Sequence, residues 1–183
     1  MLDDNNKNKS LGFELTYKPN SKISFDYNAI IGNEINSYDN NPKVRIFNDL
    51  YINYSPTAKL DLILGLDFAA QEKSKFNDST ATAYLYSTFL SCRYKITPKL
   101  FISARAEYFN DGQGILTGNI YTRDLIFSGL SIWGFTGALE YRPVENYYMR
   151  LESRFLNADK LLKIFNYNSN SRTEATINMG FDF

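Results

Sequence analysis

Three stretches of this chain set charges of opposite sign two residues apart: Arg105 with Glu107, Glu140 with Arg142, and Arg150 with Glu152 and Arg154. Carboxylates and guanidiniums at that spacing could do acid–base work, hold an anion, or pair with one another. The composition argues against the first. Histidine is absent, which removes the commonest general base and the commonest metal ligand. A hydrolytic triad in its usual form is therefore excluded. Cys92 is the single cysteine, so no intrachain disulfide and no thiolate metal cluster are available. Gly112-Gln113-Gly114 lacks the Lys-Ser/Thr of a phosphate-binding loop and reads as a flexible surface loop. Asp39-Asn40-Asn41 lacks the ligand spacing of a calcium loop and reads as loop solvation. No cofactor, no metal and no enzymatic activity are expected. What remains is charge pairing on a wetted surface. A mixed-charge ladder between neighbouring strands, about 4.8 Å apart, would stiffen a wall by at most about 1 kcal/mol per pair. The same lining would tune which solutes pass.

A two-residue spacing puts such charges on one face of a β-strand. The strands announce themselves through a phrase written four times, a tyrosine followed shortly by a proline: Tyr17-Lys18-Pro19, Tyr54-Ser55-Pro56, Tyr94-Lys95-Ile96-Thr97-Pro98 and Tyr141-Arg142-Pro143. A fresh apolar alternation follows each, such as Leu60, Leu62, Leu64 after the second and Tyr147, Met149, Leu151 after the fourth. Proline presets φ and cannot donate to a sheet ladder, so each phrase predicts the turn of a hairpin. Repetition predicts a meander of nine strands, at 11–18, 22–34, 44–54, 60–69, 83–94, 99–109, 130–142, 147–156 and 173–183. Sorted by parity, the face carrying the repeated tyrosines has no charged residue, and Asn48 is its most polar member. The opposite face carries Glu14, Asp26, Arg45, Asp49, Asp61, Asp67 and Arg93, together with Arg105, Glu107, Glu140, Arg142, Arg150, Glu152 and Arg154. Small residues such as Gly12, Gly65, Ser103, Ala138 and Gly180 lie between them.

Alternation alone leaves two orientations. A soluble barrel of lipocalin type, a binder of apolar ligands, packs its apolar face inside; a transmembrane barrel turns that face to lipid. Three features favour lipid. Tyr17, Tyr54, Tyr94 and Tyr141 lie at the short-turn ends of the strands, with Tyr108, Phe109 and Phe155 at the far ends, which makes two aromatic girdles. Short turns alternate with long polar loops at 35–43, 70–81, 110–129 and 157–172. The last residue is aromatic. A mean hydropathy of −0.36 is compatible with this, because alternating strands average to a soluble-looking value. No apolar run is long enough for a transmembrane helix. Basic and acidic residues number 20 each, so nothing suggests a nucleic-acid partner. The expected fold is all-β, an antiparallel up-and-down transmembrane β-barrel.

The final residues, with Gly180, Phe181 and Phe183 as a glycine and alternating aromatics, resemble the C-terminal β-signal of outer-membrane proteins. That likeness implies recognition by the barrel assembly machinery. Leu11–Pro19, Asn48–Leu66, Leu90–Asp111 and Gly134–Phe155 are together similar to the C-terminal part of the OmpL-like β-barrel porins. This resemblance implies the bacterial outer membrane, a lipid bilayer around the barrel, and a porin-like passive channel for small polar solutes. A non-conducting structural or surface-binding barrel is the alternative. Oligomeric state is left open. Members of that family are longer and begin with a secretion signal, whereas Met1–Ser10 has no apolar h-region. Single-chain bacterial barrels also have an even strand count. Either a further strand lies within 110–130, around 119–123, or the chain is the C-terminal part of a larger barrel. The second expectation makes 1–10 a polar tail or partial extracellular loop and 11–183 the barrel domain.

Overall fold

The computed structural model describes residues 8–36, 39–121, 126–127, 129–159, 161–166 and 168–181. Nine long strands form one sheet: β1 (Ser10–Asn20), β2 (Ile23–Asn36), β3 (Asp39–Thr57), β4 (Leu60–Gln71), β5 (Ala83–Thr97), β6 (Leu100–Asp111), β9 (Leu130–Val144), β10 (Tyr147–Ala158) and β11 (Ser171–Phe181). Each lies beside its neighbour in the chain, antiparallel throughout, with β9 against β6. The expected extra strand around 119–123 falls partly outside the described residues, and its described part, 119–121, adds no strand to this sheet. There β7 (Ile120–Tyr121) pairs with β8 (Ile126–Phe127) as a separate ribbon. The sheet is not closed: β1 and β11 are its two edges, and an odd number of antiparallel strands leaves them running in the same direction. Most of the tail 1–10 and the terminal Phe183 lie outside the described residues.

The tyrosine–proline phrases are hairpin ends, but three of the four prolines are not turn residues. The turns occupy the next two positions, 21–22, 58–59 and 145–146, while Pro19, Pro56 and Pro143 are still within strands. Pro19 and Pro56 fall where the register shifts, between Tyr17 and Asn20 and between Tyr54 and Thr57. A bulged residue has no ladder partner for its N–H, which is the place where proline costs nothing. At three of the four turns, 21–22, 58–59 and 98–99, the residue before the turn braces it through its side chain. Asn20 Oδ1 accepts from the Lys22 amide at 2.8 Å, Thr57 Oγ1 from Lys59 at 3.3 Å and Thr97 Oγ1 from Lys99 at 3.3 Å. Successive hairpins are tied by a repeated backbone bond, from Ser55, Lys95 and Arg142 to the carbonyls of Lys22, Lys59 and Lys99, at 2.7, 2.8 and 2.8 Å.

Which way the sheet curls is visible in its side-chain contacts. On the uncharged face, ring pairs among the described residues join adjacent strands, such as Phe13–Tyr27, Phe68–Tyr84, Tyr86–Tyr108 and Tyr108–Trp133, with centroids 6.5, 6.0, 5.9 and 4.4 Å apart. On the charged face, contacts reach over a strand, from β3 to β5, from β5 to β9 and from β6 to β10. Side chains two strands apart converge only on the concave side of a sheet. The charged face is therefore inside the curl and the apolar face outside it, the orientation of a membrane barrel and the reverse of a soluble one. Neighbouring residues of β9 show the inversion: Leu139 is 47% exposed and Glu140 7%. The polar member of the outer face is accommodated there, since Asn48 Oδ1 accepts the hydroxyl of Tyr27 at 2.6 Å.

Candidate functional site

On the concave face the register sets Arg105 opposite Thr136 and Thr136 opposite Arg154, so two arginines flank one small residue. Arg105 Nε lies 2.9 Å from one oxygen of Glu107, and Arg154 reaches across β9 to the other. That bridge requires nothing beneath it. Gly134 stands opposite Glu107, and a β-carbon there would overlap the carboxylate. The same device recurs one step along the sheet. Gly65, opposite Phe89, leaves room for that ring to lie over β4 and meet Tyr51 of β3, with centroids 5.8 Å apart. The guanidinium of Arg105 in turn sits 4.0 Å above the Phe89 ring. Tyr51, Phe89, Arg105, Glu107 and Arg154 thus form one continuous transverse row from β3 to β10.

A second cluster lies nearer the short turns. Glu140, the most buried acid of the predicted set, accepts from Arg142 Nε and from Arg93 of β5, each at 2.7 Å. Phe101 supports Arg93 from beneath, 4.1 Å from ring centroid to guanidinium carbon. Arg150 stands opposite Glu140 in register yet turns to Glu152, at 3.1 Å. The expected ladder between adjacent strands is therefore replaced by two other patterns. Charges pair along one strand at a two-residue interval, or across an intervening strand, over Gly134 for Glu107 and Arg154 and over the Phe101 ring for Arg93 and Glu140. For Glu107 and Arg154 the diagonal over β9 is open because Gly134 has no side chain to fill it. A cavity of about 430 Å³ remains beside these rows, bordered by Ser91, Ser103, Arg105, Thr136, Arg150 and Arg154.

The long-loop end holds a feature the sequence did not disclose. Asp111, the last residue of β6 and fully buried, accepts the amides of Ile115, Leu116 and Thr117 at 2.9, 2.8 and 2.8 Å, and the Thr117 hydroxyl at 3.0 Å. The segment 112–118 is thereby wound back onto the sheet. Ile115 packs with Ala69, Ala83 and Leu85, against Phe47 and Phe109. Arg45 of β3 clasps the Ile115 carbonyl at 2.6 Å and Gln71 at 2.8 Å. Gly112-Gln113-Gly114, expected as a flexible surface loop, is part of this packed unit, with the Gln113 side chain accepting the Phe76 amide at 3.0 Å. Phe109, expected in the far girdle, belongs to it as well. Its parity is that of Glu107, so its ring meets the inward cluster and not the outer belt.

Tyr17, Tyr54, Tyr94, Tyr141 and Phe155 are exposed on the outer face. Tyr108 joins Trp133 there, a residue the strand reading left out although its parity matches Phe135. Phe181 stacks on Tyr147 at 4.6 Å, and Gly180 stands opposite Tyr148. Arg93 lies inward, on the charged face where parity puts it, and Phe89 and Phe101 complete the inward rows; the two aromatics were not singled out, because on a charged face they look like errors of parity until their guanidinium partners are seen.

The comparisons with known proteins agree with this geometry. The whole chain, residues 1–183, matches the family described as "Putative beta-barrel porin-2, OmpL-like". Among solved structures it is similar to a NanC porin at 10% identity and a TM-score of 0.60, covering 96% of this chain and 79% of that one. At that identity the likeness speaks for the fold. No curated protein matches. The chain belongs to the OmpL-like β-barrel porin family, whose members are barrels of the bacterial outer membrane.

Proposed function

We propose that the concave charged face lines the water-filled lumen of a passive channel for small polar solutes, with Arg105, Glu107, Glu140, Arg142, Arg150, Glu152 and Arg154 as lining residues. One observation carries this reading: on adjacent positions of one strand the leucine is more exposed than the glutamate, and the exposed side is apolar from β1 to β11. Such a surface is stable against hydrocarbon, and the face it encloses is stable only against water. The outer aromatics form the two belts at the membrane surfaces. The same reading makes the open sheet part of a larger barrel. Hydrocarbon tolerates no free strand edge, and two edges of like direction close in antiparallel fashion only through an odd number of further strands. The C-terminal Gly180, Phe181 and Phe183 serve recognition by the barrel assembly machinery.

Planar-bilayer recording tests the channel reading. Discrete, ohmic conductance steps are expected once these nine strands are joined to the further strands that close the barrel and the whole is reconstituted from detergent, with ion preference shifted toward cations when Arg105, Arg150 and Arg154 are neutralised together. Silent bilayers into which the protein has demonstrably inserted would favour the non-conducting structural barrel.

A further inference from the structure

The charges around the cavity between β5 and β10 do not balance. Three guanidiniums, of Arg105, Arg150 and Arg154, meet two carboxylates, of Glu107 and Glu152. Glu107 is shared by two of the arginines. Arg150 is the least satisfied of the three. One of its terminal nitrogens bonds Glu152 at 3.1 Å and only grazes the Ser103 hydroxyl at 3.5 Å, while its Nε is buried with no acceptor. A buried donor without a partner loses the free energy of its hydration, and native structures rarely leave one so. The site is otherwise held firm: Arg105 rests on Phe89 and is fixed laterally by Glu107. Ser91, Ser103 and Thr136 add neutral hydroxyls at its margin.

We infer that this cavity is a binding subsite for small solutes bearing a carboxylate, an inference that rests on the reading of the concave face as a lumen. A planar carboxylate can take two parallel N–H bonds from one guanidinium fork, which satisfies the Nε of Arg150 and neutralises the surplus charge in one step. Polar parts of the solute then meet the hydroxyls of Ser91, Ser103 and Thr136. Arg150 is partly open to the interior, and a turn of its side chain brings the covered Nε to the carboxylate. The bound state is thus a resting point on the way through, close to the row Tyr51–Phe89–Arg105–Glu107–Arg154.

Titration calorimetry on the folded protein in detergent tests the subsite, with citrate as probe and glucose and choline as neutral and cationic controls. Citrate is expected to bind and both controls to give no heat. Arg150→Gln should weaken citrate about tenfold, and Arg150→Lys should fail to restore it, because an ammonium cannot present the fork. Should Arg150→Gln fail to fold, Ser103→Ala replaces it, with a loss of twofold to threefold expected. Folded protein that does not bind citrate, binds glucose equally, or ignores these substitutions overturns the subsite, whatever the conductance. Citrate binding in a barrel that carries no current leaves the subsite standing and overturns the channel instead.

Discussion

The concave face has two sectors that hold their charges in opposite ways. From β5 to β10, each carboxylate serves arginines: Glu140 serves Arg93 and Arg142, and Glu107 serves Arg105 and Arg154. From β2 to β4, the carboxylates are held by neutral donors. Asp26 accepts from the Thr16 hydroxyl at 2.8 Å and the Asn53 amide at 3.0 Å, and Asp61 from the Ser55 hydroxyl at 2.7 Å. Asp67 takes the Ser87 hydroxyl and stands opposite Asp49 in register. One sector therefore keeps a surplus of positive charge and the other a surplus of negative charge, although the chain as a whole is neutral. Net charge said nothing of this. A lumen built from both sectors has an electric field across it, and solutes with a dipole will turn as they pass.

The contrast has meaning only if both sectors are walls of one watery interior, and the largest expected effect checks that. Leu90, midway along β5 on the outer face, should cost about 2–4 kcal/mol when changed to arginine. Asp61→Asn on the inner face should stay within about 0.5 kcal/mol. Denaturant titration of folding into lipid vesicles measures both, and equal costs would break the comparison. A smaller effect separates the sectors themselves. Glu107→Gln leaves two guanidiniums without their counter-charge and should cost about 1 kcal/mol in the same titration. Asp26→Asn keeps one acceptor, for the Asn53 amide, and puts at the other position an amide donor that the Thr16 hydroxyl can turn to accept, so it should cost a few tenths of that. The smallest effect uses a copy of the acidic sector's arrangement in the loop between β4 and β5. There Asp78 accepts the hydroxyl and amide of Thr80 at 2.7 and 3.0 Å, and these bonds hold its carboxyl below the usual carboxylate range. A depressed carboxyl contributes its stabilisation above the unfolded value and loses it only as pH falls through the folded one. The Thr80 amide shift, followed by NMR on acidification, should therefore titrate at a lower pH than in the peptide 75–81.

Much of this molecule could be read from its sequence because strand parity is a rigid code. All nine strands, the uncharged face and the seven charged residues at Arg105 to Arg154 fall where alternation puts them. What parity cannot convey is which neighbours touch. Glu107 finding Arg154 depends on Gly134, and Phe89 finding Tyr51 depends on Gly65, both contacts with a strand between them. The expected ladder failed for that reason. Segment 112–118 was hidden for a different one: its glycines suggested freedom, whereas its order comes from Asp111 at the end of β6 and from Arg45, some seventy residues earlier. Three of the prolines were mistaken for turn residues because a bulge and a turn ask the same thing of a residue, the absence of a needed N–H.

The staple at Asp111 also bears on the order in which the sheet forms. A meander pairs each strand with one just made, so its hairpins can assemble locally and in sequence. The longest interruption is 112–129, where joining β9 to β6 carries a loop-closure cost about 2 kcal/mol above that of a two-residue turn. The carboxylate of Asp111 reels in the first part of that segment using only residues a few positions away, before any distant strand has arrived. It shortens the free span that remains and brings the start of β9 toward the waiting edge of β6.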